Sequence, residues 1–347
     1  MKKKDVLNLI KCYSENNDAG FRAQAYQIAK EFDSEGDVQL SEYILSLLSG
    51  LNTFVPQMLE GKSDFFKKII PTQEPLPLPE VIKDDLIGLV NAVGHNIGIN
   101  KFLFHGAPGT GKTESAKQVA RLLERELYSV DFDSIIDSKL GQTSKNIATV
   151  FDELNNLSHP EKVVILFDEI DAIALDRTNT NDLREMGRAT SSILKGFDTL
   201  NEKIVLIATT NLFSNFDKAL SRRFDTIIDF NRYTNDDLLE IADIILDYYL
   251  PKIKGAGKNK KLFRKIMALM PKLPYPGELK NLIKTSLAFS TIGEEFDYLV
   301  KLYKNITGKE PNNLKDLQEH NFTVREIEIL TGISKSHVSR QLQEMSI

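Results

Sequence analysis

The sequence predicts an α/β protein built on a parallel sheet, and three observations predict it. Strand-like runs alternate with helix-like stretches from residue 102 onward. One run, Val163-Val164-Ile165-Leu166-Phe167, has no polar position. A glycine-rich loop stands between a strand-like run and a helix-like one. Parallel strands buried on both faces read as unbroken apolar runs and are joined by crossover helices, so these features belong together. Strands are expected at 102–105, 127–131, 163–168 and 204–209, with helices at 115–126, 146–156 and 193–200.

The segments flanking this core read as helical. Residues 6–51 carry three helical periods. Val6, Leu9, Ile10 and Tyr13 mark the first; Phe21, Ala25, Ile28, Ala29 and Phe32 the second; Leu40, Ile44, Leu47, Leu48 and Leu51 the third. Asn16-Asn17-Asp18 and Glu35-Gly36-Asp37 separate them. Residues 71–79 hold four prolines in nine positions, which excludes a helix or an inner strand and predicts a stiff linker. From residue 235 the periodicity is helical again, broken by a Lys/Gly loop at 252–261 and by Pro271, Pro274 and Pro276. The expected units are a helical domain at 1–70, a linker at 71–80, a large α/β subdomain at 81–232, a helical subdomain at 233–305 and a C-terminal unit at 306–347.

Composition excludes several classes. The 347 residues, 41% of them hydrophobic, suit a globular chain of two or three domains rather than a disordered one. The lone Cys12 excludes an intramolecular disulfide, and no Cys/His cluster has zinc-ligand spacing. No apolar run is long enough to span a bilayer, and Met1-Lys2-Lys3-Lys4-Asp5 leads into an amphipathic stretch rather than an apolar signal core. The expected compartment is the cytoplasm, with no membrane partner. With 44 Lys and Arg against 49 Asp and Glu, a net charge of −5 argues against a protein that coats nucleic acid indiscriminately.

The most informative motif is Gly106-Ala107-Pro108-Gly109-Thr110-Gly111-Lys112-Thr113, which fits G-x-x-x-x-G-K-[ST], follows a strand-like run and opens a helix. Glycines there let successive backbone N–H groups turn inward around a phosphate at a helix N-terminus. Lys112 is then placed to reach the β- and γ-phosphate oxygens, and Thr113 to ligate Mg²⁺. About 55 residues downstream, the run 163–167 ends in Asp168 and Glu169, at the strand edge where ligands of such sheets bind. Asp168 is expected to hold Mg²⁺ through water, and Glu169 to orient and deprotonate the attacking water.

Together with Asp168-Glu169-Ile170-Asp171, Ile207-Ala208-Thr209-Thr210-Asn211 and Ala219-Leu220-Ser221-Arg222-Arg223-Phe224-Asp225, the loop forms an ordered set that resembles the AAA+ ATPases, within them the AAA clade proper, over roughly residues 76–305. The layout is similar to bacterial stand-alone members with a helical N-terminal domain. The resemblance implies a P-loop NTPase sheet with a helical lid, from Tyr233 to about Asn305, and ATP and Mg²⁺ as cofactors. It implies that Asn211 is sensor 1, between Glu169 and the γ-phosphate, and that Arg222 and Arg223 are paired arginine fingers reaching a neighbouring subunit's nucleotide. A planar permanent cation suits the charge spread over a transferring phosphoryl group. A finger in trans implies a ring, usually a hexamer. Lys280, in Pro276-Gly277-Glu278-Leu279-Lys280, stands near the sensor-2 position of other AAA+ branches; an exposed lysine at a helix start is an equal reading.

By the same resemblance, Lys139-Leu140-Gly141 occupies the place of the first pore loop. Protein unfoldases carry an aromatic residue where this chain has Lys139, and a ring of lysines would favour an acidic segment or a phosphate backbone. At the C-terminus, a Thr323/Glu326 capping box opens one helix, Thr331-Gly332-Ile333-Ser334 makes a turn, and residues 335–343 form a second helix. Residues 322–343 resemble a DNA-binding helix-turn-helix, with Lys335, Ser336, His337, Ser339, Arg340 and Gln343 as donors to phosphates and base edges. Residues 314–347 nevertheless hold four Lys/Arg and five Asp/Glu, so a helix-turn-helix that makes only protein contacts competes with this reading. Lys252, Lys254, Lys258, Lys260, Lys261, Arg264 and Lys265 form a second basic candidate, with a solvated loop as the plainer reading.

Two functions are therefore expected from different classes. One is a ring-forming ATPase that remodels or threads a protein client, its N-terminal helices serving capture, with any effector separately encoded, since the chain has neither His-Glu-x-x-His nor Gly-x-Ser-x-Gly. The alternative is a DNA-associated ATPase of mobile-element or phage type. A non-enzymatic scaffold ranks behind both.

Overall fold

All of Val163–Phe167 and all of Val205–Thr210 are buried, and these two runs form the middle of the sheet the sequence predicts. The computed structural model describes residues 3–14, 18–34, 41, 44, 48, 65–70, 74–136, 142–157, 159–171 and 182–344, and the chain divides into two units, residues 1–62 and 63–347.

In the first unit, α1 (Lys3–Ser14) and α2 (Asp18–Ser34) are the first two expected helices, with Ala25, Ile28 and Ala29 of α2 buried. Of the third, only residues 41, 44 and 48 are described, and all three are helical.

The second unit carries β1 (Phe66–Ile69), α3 (Glu80–His95), β2 (Lys101–His105), α4 (Lys112–Leu122), β3 (Glu126–Val130), α5 (Phe132–Ile135) and α6 (Gln142–Asn155). They are followed by β4 (Val163–Phe167), α7 (Asp182–Thr199), β5 (Val205–Thr210), α8 (Lys218–Ser221) and β6 (Thr226–Asp229). The spatial order is β1-β3-β4-β5-β2-β6, and every pair is parallel except β1 with β3. In register, His105 lies opposite Thr210, and Phe167 opposite Ala208. The carboxyl ends of β2, β4 and β5 therefore meet at one edge, where such sheets bind ligands.

Alternate residues of each strand serve opposite faces. On one face, Ile82, Leu86 and Leu89 of α3 and Ala116, Val119 and Ala120 of α4 pack on Phe102, Phe104, Val164, Leu166, Val205 and Ile207. On the other, Phe167 lies 5.9 Å from the rings of Phe151 in α6 and Phe197 in α7, and Phe224 lies 5.2 Å from Phe197. Gly196 lets α7 approach: a Cβ there would lie 2.1 Å from the Phe151 ring.

Beyond the sheet come α9 (Asn235–Tyr249), α10 (Lys260–Met267), α11 (Pro276–Ala288), α12 (Asp297–Thr307), α13 (Leu314–Glu319), α14 (Val324–Thr331) and α15 (Lys335–Glu344). Three expectations change here. Phe66–Ile69, expected within the N-terminal helical domain, is an edge strand of the sheet, paired from Phe66 opposite Val130 to Ile69 opposite Leu127. The proline-rich segment is no free spacer: Leu78 is buried in the same core as α3 and α4, with Leu76 packed against it, and both lie beside Gly111. The helical subdomain and the C-terminal helices share one core, in which Leu279, Leu299 and Leu302 join Leu317, Ile327, Leu330 and Val338. No separate C-terminal core begins at residue 306.

Candidate active site

The loop from Gly106 to Gly111 leaves β2 at its carboxyl end and turns into α4 at Lys112. Its backbone is tied down on several sides. Gly106 N–H donates to Thr210 O at 3.3 Å, and Thr110 Oγ1 donates to Ala107 O at 2.8 Å. Ala107 N–H donates to Asn231 Oδ1 at 2.8 Å, and the Tyr233 hydroxyl donates to Thr110 O at 2.7 Å. Gly277 N–H, at the start of α11, donates to Gly109 O at 2.8 Å. Gly277 is glycine for a reason of space: a Cβ there would meet Gly109 Cα at 2.9 Å.

Lys112 is buried, and its ammonium donates to Gly106 O at 2.7 Å, Ala107 O at 2.9 Å and Asn211 Oδ1 at 2.7 Å. Burial lowers its pKa from the usual lysine range, with Asp168, Asp171 and Glu169 pulling it back upward. Thr113 Oγ1 donates to the Asp168 carboxylate at 2.9 Å, placing the loop's hydroxyl against the acid that ends β4. Pro108 occupies the outer bend of the loop and makes no hydrogen bond through nitrogen, having no N–H.

The acidic turn after β4 is braced by the end of β5. Thr209 Oγ1 donates to Asp168 Oδ1 at 2.6 Å and accepts from Glu169 N–H at 2.9 Å. Asp171 is buried and accepts from the Thr210 hydroxyl and, at 2.9 Å, from Asn211 N–H. Glu169 adopts φ 52, the left-handed region that a residue with a Cβ seldom occupies. Asn211 spans the centre: its Oδ1 accepts from Lys112, while its Nδ2 lies 3.4 Å from Glu169 Oε1.

The two arginines separate. Asp217 caps the short α8 through Ala219 N–H at 2.5 Å and Leu220 N–H at 3.2 Å, fixing the turn that carries them. Arg223 pairs with Asp198 of α7 at 3.2 Å and donates to Ala219 O at 3.1 Å. Arg222 is exposed and, among the described residues, makes no salt bridge.

The Lys280 ammonium pairs with Glu74 of the proline-rich segment, which also accepts from the Tyr249 hydroxyl at 3.3 Å. The Lys139-Leu140-Gly141 segment lies outside the described residues. Five of the seven cations at 252–265 have partners among the described residues. Lys258 and Lys260 meet Asp247, Arg264 meets Asp243, Lys265 meets Glu326, and Lys252 sits 3.6 Å over the Tyr248 ring. Pairing lowers the charge of this segment without cancelling it, as three carboxylates meet four of its seven cations.

The sequence motifs assign no role to Thr209, Asp171, Asn231 or Tyr233. Paired threonines before Asn211 and a second acid after Glu169 were the available signal for the first two. Nothing local marks Asn231 and Tyr233, which come to the loop from 124 and 123 residues away.

Strand, glycine loop, lysine at a helix start and an acid touching the following threonine define a P-loop nucleotide hydrolase site. Comparison with known proteins agrees. The profile of the "ATPase family associated with various cellular activities (AAA)" matches residues 102–232. The chain is 31% identical over 239 residues to the "Uncharacterized AAA family ATPase y4kL" of Sinorhizobium fredii, covering 63% of this chain and 71% of that protein. It is 34% identical over 175 residues to the Proteasome-activating nucleotidase 1 of Halobacterium salinarum, covering 49% of this chain and 40% of the relative. Among solved structures, a chain of the E. coli MS115-1 HORMA:CdnC:Trip13 complex matches with a TM-score of 0.55 at 17% identity, over 70% of this chain and 95% of that one, a likeness of fold. The chain belongs to the AAA family of ATPases and is an ATP-hydrolysing enzyme.

Proposed function

We propose that the chain is a Mg²⁺-dependent, ring-forming AAA ATPase that uses hydrolysis to remodel or thread a protein client. The observation that carries the reading is the continuous contact Lys112–Asn211–Glu169 alongside Thr113–Asp168–Thr209. It ties Lys112, Asn211 and Glu169 into one hydrogen-bonded frame, which supports reading them as phosphate binder, sensor and base.

Thr113 Oγ1 and the Asp168 carboxylate are hard oxygen donors in mutual contact, a donor set that fits Mg²⁺. Once bound, the ion neutralises charge developing on the phosphate oxygens. Lys112 would exchange its bonds to Gly106 O and Ala107 O for phosphate oxygens, the group that the backbone amides of such a loop bind. Glu169 orients the attacking water and takes its proton, with Asn211 Nδ2 holding the carboxylate. Arg222, exposed on a capped turn, serves the nucleotide of a neighbouring subunit, while Arg223 braces that turn through Asp198. The protein-client reading draws on similarity to the proteasome-activating nucleotidases, and Lys139 in the expected pore segment would narrow the client to an acidic one.

The test is Glu169→Gln. It should bind ATP as the wild type does and hydrolyse it about 10²–10⁴-fold more slowly. ATP-dependent association should be retained, measured by light scattering at fixed protein concentration. Undiminished turnover would remove Glu169 as the base, and a monomer with bound ATP would remove the ring.

A further inference from the structure

The C-terminal helices hold a second set of functional groups that the hydrolysis site does not use. α14 and α15 are joined by only Gly332-Ile333-Ser334. Gly332 adopts φ 71 and donates to Glu328 O at 2.9 Å, ending α14 in the left-handed geometry that a glycine takes readily. A three-residue turn containing glycine between two packed helices is the helix-turn-helix arrangement. Val338 is fully buried, while Ile327 and Leu330 of α14 and Leu317 of α13 lie in the same core, so α15 is clamped by one side only.

The exposed side has a definite chemistry. At 100° per residue, Ser336, Ser339, Arg340 and Gln343 fall within an arc of about 100° facing away from Val338. Lys335 and His337 flank that arc at the start of the helix, and all six side chains are exposed. Every one of them can donate a hydrogen bond, the requirement for phosphates and for purine edges.

The acidic balance of this region does not oppose the reading, because most of the acids face inward or are used locally. Glu326 is buried and accepts from Lys265 at 2.7 Å and Thr323 N–H at 2.7 Å. Glu328 accepts from Lys335 N–H at 2.9 Å, capping α15. Asp316 accepts from Asn313 Nδ2 at 2.9 Å on α13. On α15 itself the single acid is Glu344, 3.8 Å from Arg340 at the far end, in a pair whose members are each 68% exposed and thus open to salt and to exchange. The start of α15, where a recognition helix meets DNA, carries Lys335, Ser336 and His337 without a free carboxylate.

We propose that α15 is a DNA-reading helix: its exposed face docks in the major groove of duplex DNA, with Lys335 and Arg340 on phosphates and Ser336, Ser339 and Gln343 on base edges. This goes beyond the ATPase reading and stands independently of it, since none of these residues touches the nucleotide site.

The experiment uses the full chain and a fluorescein-labelled 30-base-pair duplex of random sequence, read by anisotropy between about 50 and 200 mM salt, with parallel selection from a randomised duplex pool. The wild type should bind, and log K should fall linearly with log salt. Lys335→Ala/Arg340→Ala should reduce the slope by about 1.8, so that the loss of affinity over this fourfold salt change shrinks by about tenfold. Lys304→Ala/Lys309→Ala, which removes two cations outside α15, should leave the slope unchanged. Ser336→Ala/Gln343→Ala should keep the slope and change the selected sequence. Melting temperature and basal ATPase rate should match the wild type in all three variants, as these side chains lie outside the core. No duplex binding at 50 mM salt, or the same slope in Lys335→Ala/Arg340→Ala, overturns the proposal and leaves the face to a protein partner.

Discussion

Substituting Gly277 by alanine tests whether the helical lid and the phosphate loop are one mechanical unit. The new methyl would stand 2.9 Å from Gly109 Cα and 3.2 Å from Gly109 O. Carbon atoms settle at about 3.5–4.0 Å, so α11 must recede by roughly 0.6–1 Å. The Gly277 N–H to Gly109 O bond, now 2.8 Å, would then stretch beyond hydrogen-bonding range. Losing it costs about 0.5–1.5 kcal/mol and the overpacking about 1–3 kcal/mol, a combined destabilisation of about 2–4 kcal/mol. The obstacle is backbone on both sides, so no side chain can swing away to relieve it. Calorimetric melting should show a fall of several degrees. Titration with a fluorescent ADP analogue should show at least about tenfold weaker binding, the equivalent of 1.4 kcal/mol lost from the bound geometry. Gly187→Ala is the matched control, as its added methyl, within α7, would meet nothing within 4 Å. It should be neutral or stabilising by about 0.4–1 kcal/mol, with nucleotide binding intact. If Gly277→Ala melts and binds nucleotide as the wild type does, the close approach of α11 to the loop has no energetic meaning and the reasoning fails.

Two further outcomes are expected. Burial pushes the Glu326 carboxyl up, but Lys265 and the Thr323 amide outweigh it and hold the group below the usual carboxylate range. Its contribution is therefore complete above the unfolded pKa, near 4.5, and fades as pH falls through the lower folded value. Glu326→Gln should cost about 1–3 kcal/mol at pH 7 and flatten the acid limb of stability, measured by denaturant unfolding at pH 7 and pH 3.5; an unchanged acid limb would contradict the assignment. Arg222→Ala should abolish most hydrolysis without lowering the melting temperature, whereas Arg223→Ala should lower both, because only Arg223 holds Asp198 and Ala219 O. Mixing Arg222→Ala chains with Lys112→Ala chains should restore part of the rate; wild-type turnover by Arg222→Ala alone would remove it as the finger.

Much of the fold and the centre of the site could be read before any coordinates, for reasons specific to particular residues. The 163–167 strand announces itself because burial on both faces leaves no room for a polar residue, and the phosphate loop because backbone curvature restricts residue type at fixed spacing. Phe66–Ile69 gave no such signal: an edge strand of four residues with two lysines looks like solvated chain until β3 pairs with it. The proline-rich stretch was legible as extended backbone but not as a packed one, since Leu76 and Leu78 find their partner, Gly111, only after the chain has folded around α4. Lys280 and the 252–265 cations show the same limit: sequence proximity counts charges, and only tertiary structure shows which of them Glu74, Asp247 and Asp243 pair with. Asn231 and Tyr233 reach the loop through β6, whose pairing with β2 is a property of topology.

The left-handed backbone at Glu169 has a consequence for how this chain can change. A side chain with a Cβ at φ 52 costs about 1–2 kcal/mol, and glycine would adopt that geometry freely. The turn is kept there by Thr209, which accepts the Glu169 N–H, and by Ile170 N–H donating to Thr209 O at 3.0 Å. Stability alone would therefore select against a carboxylate at this position. On the proposed role of Glu169, its presence marks a trade of robustness for chemistry, and any drift that relaxes the turn would produce a sturdier protein without the proposed base.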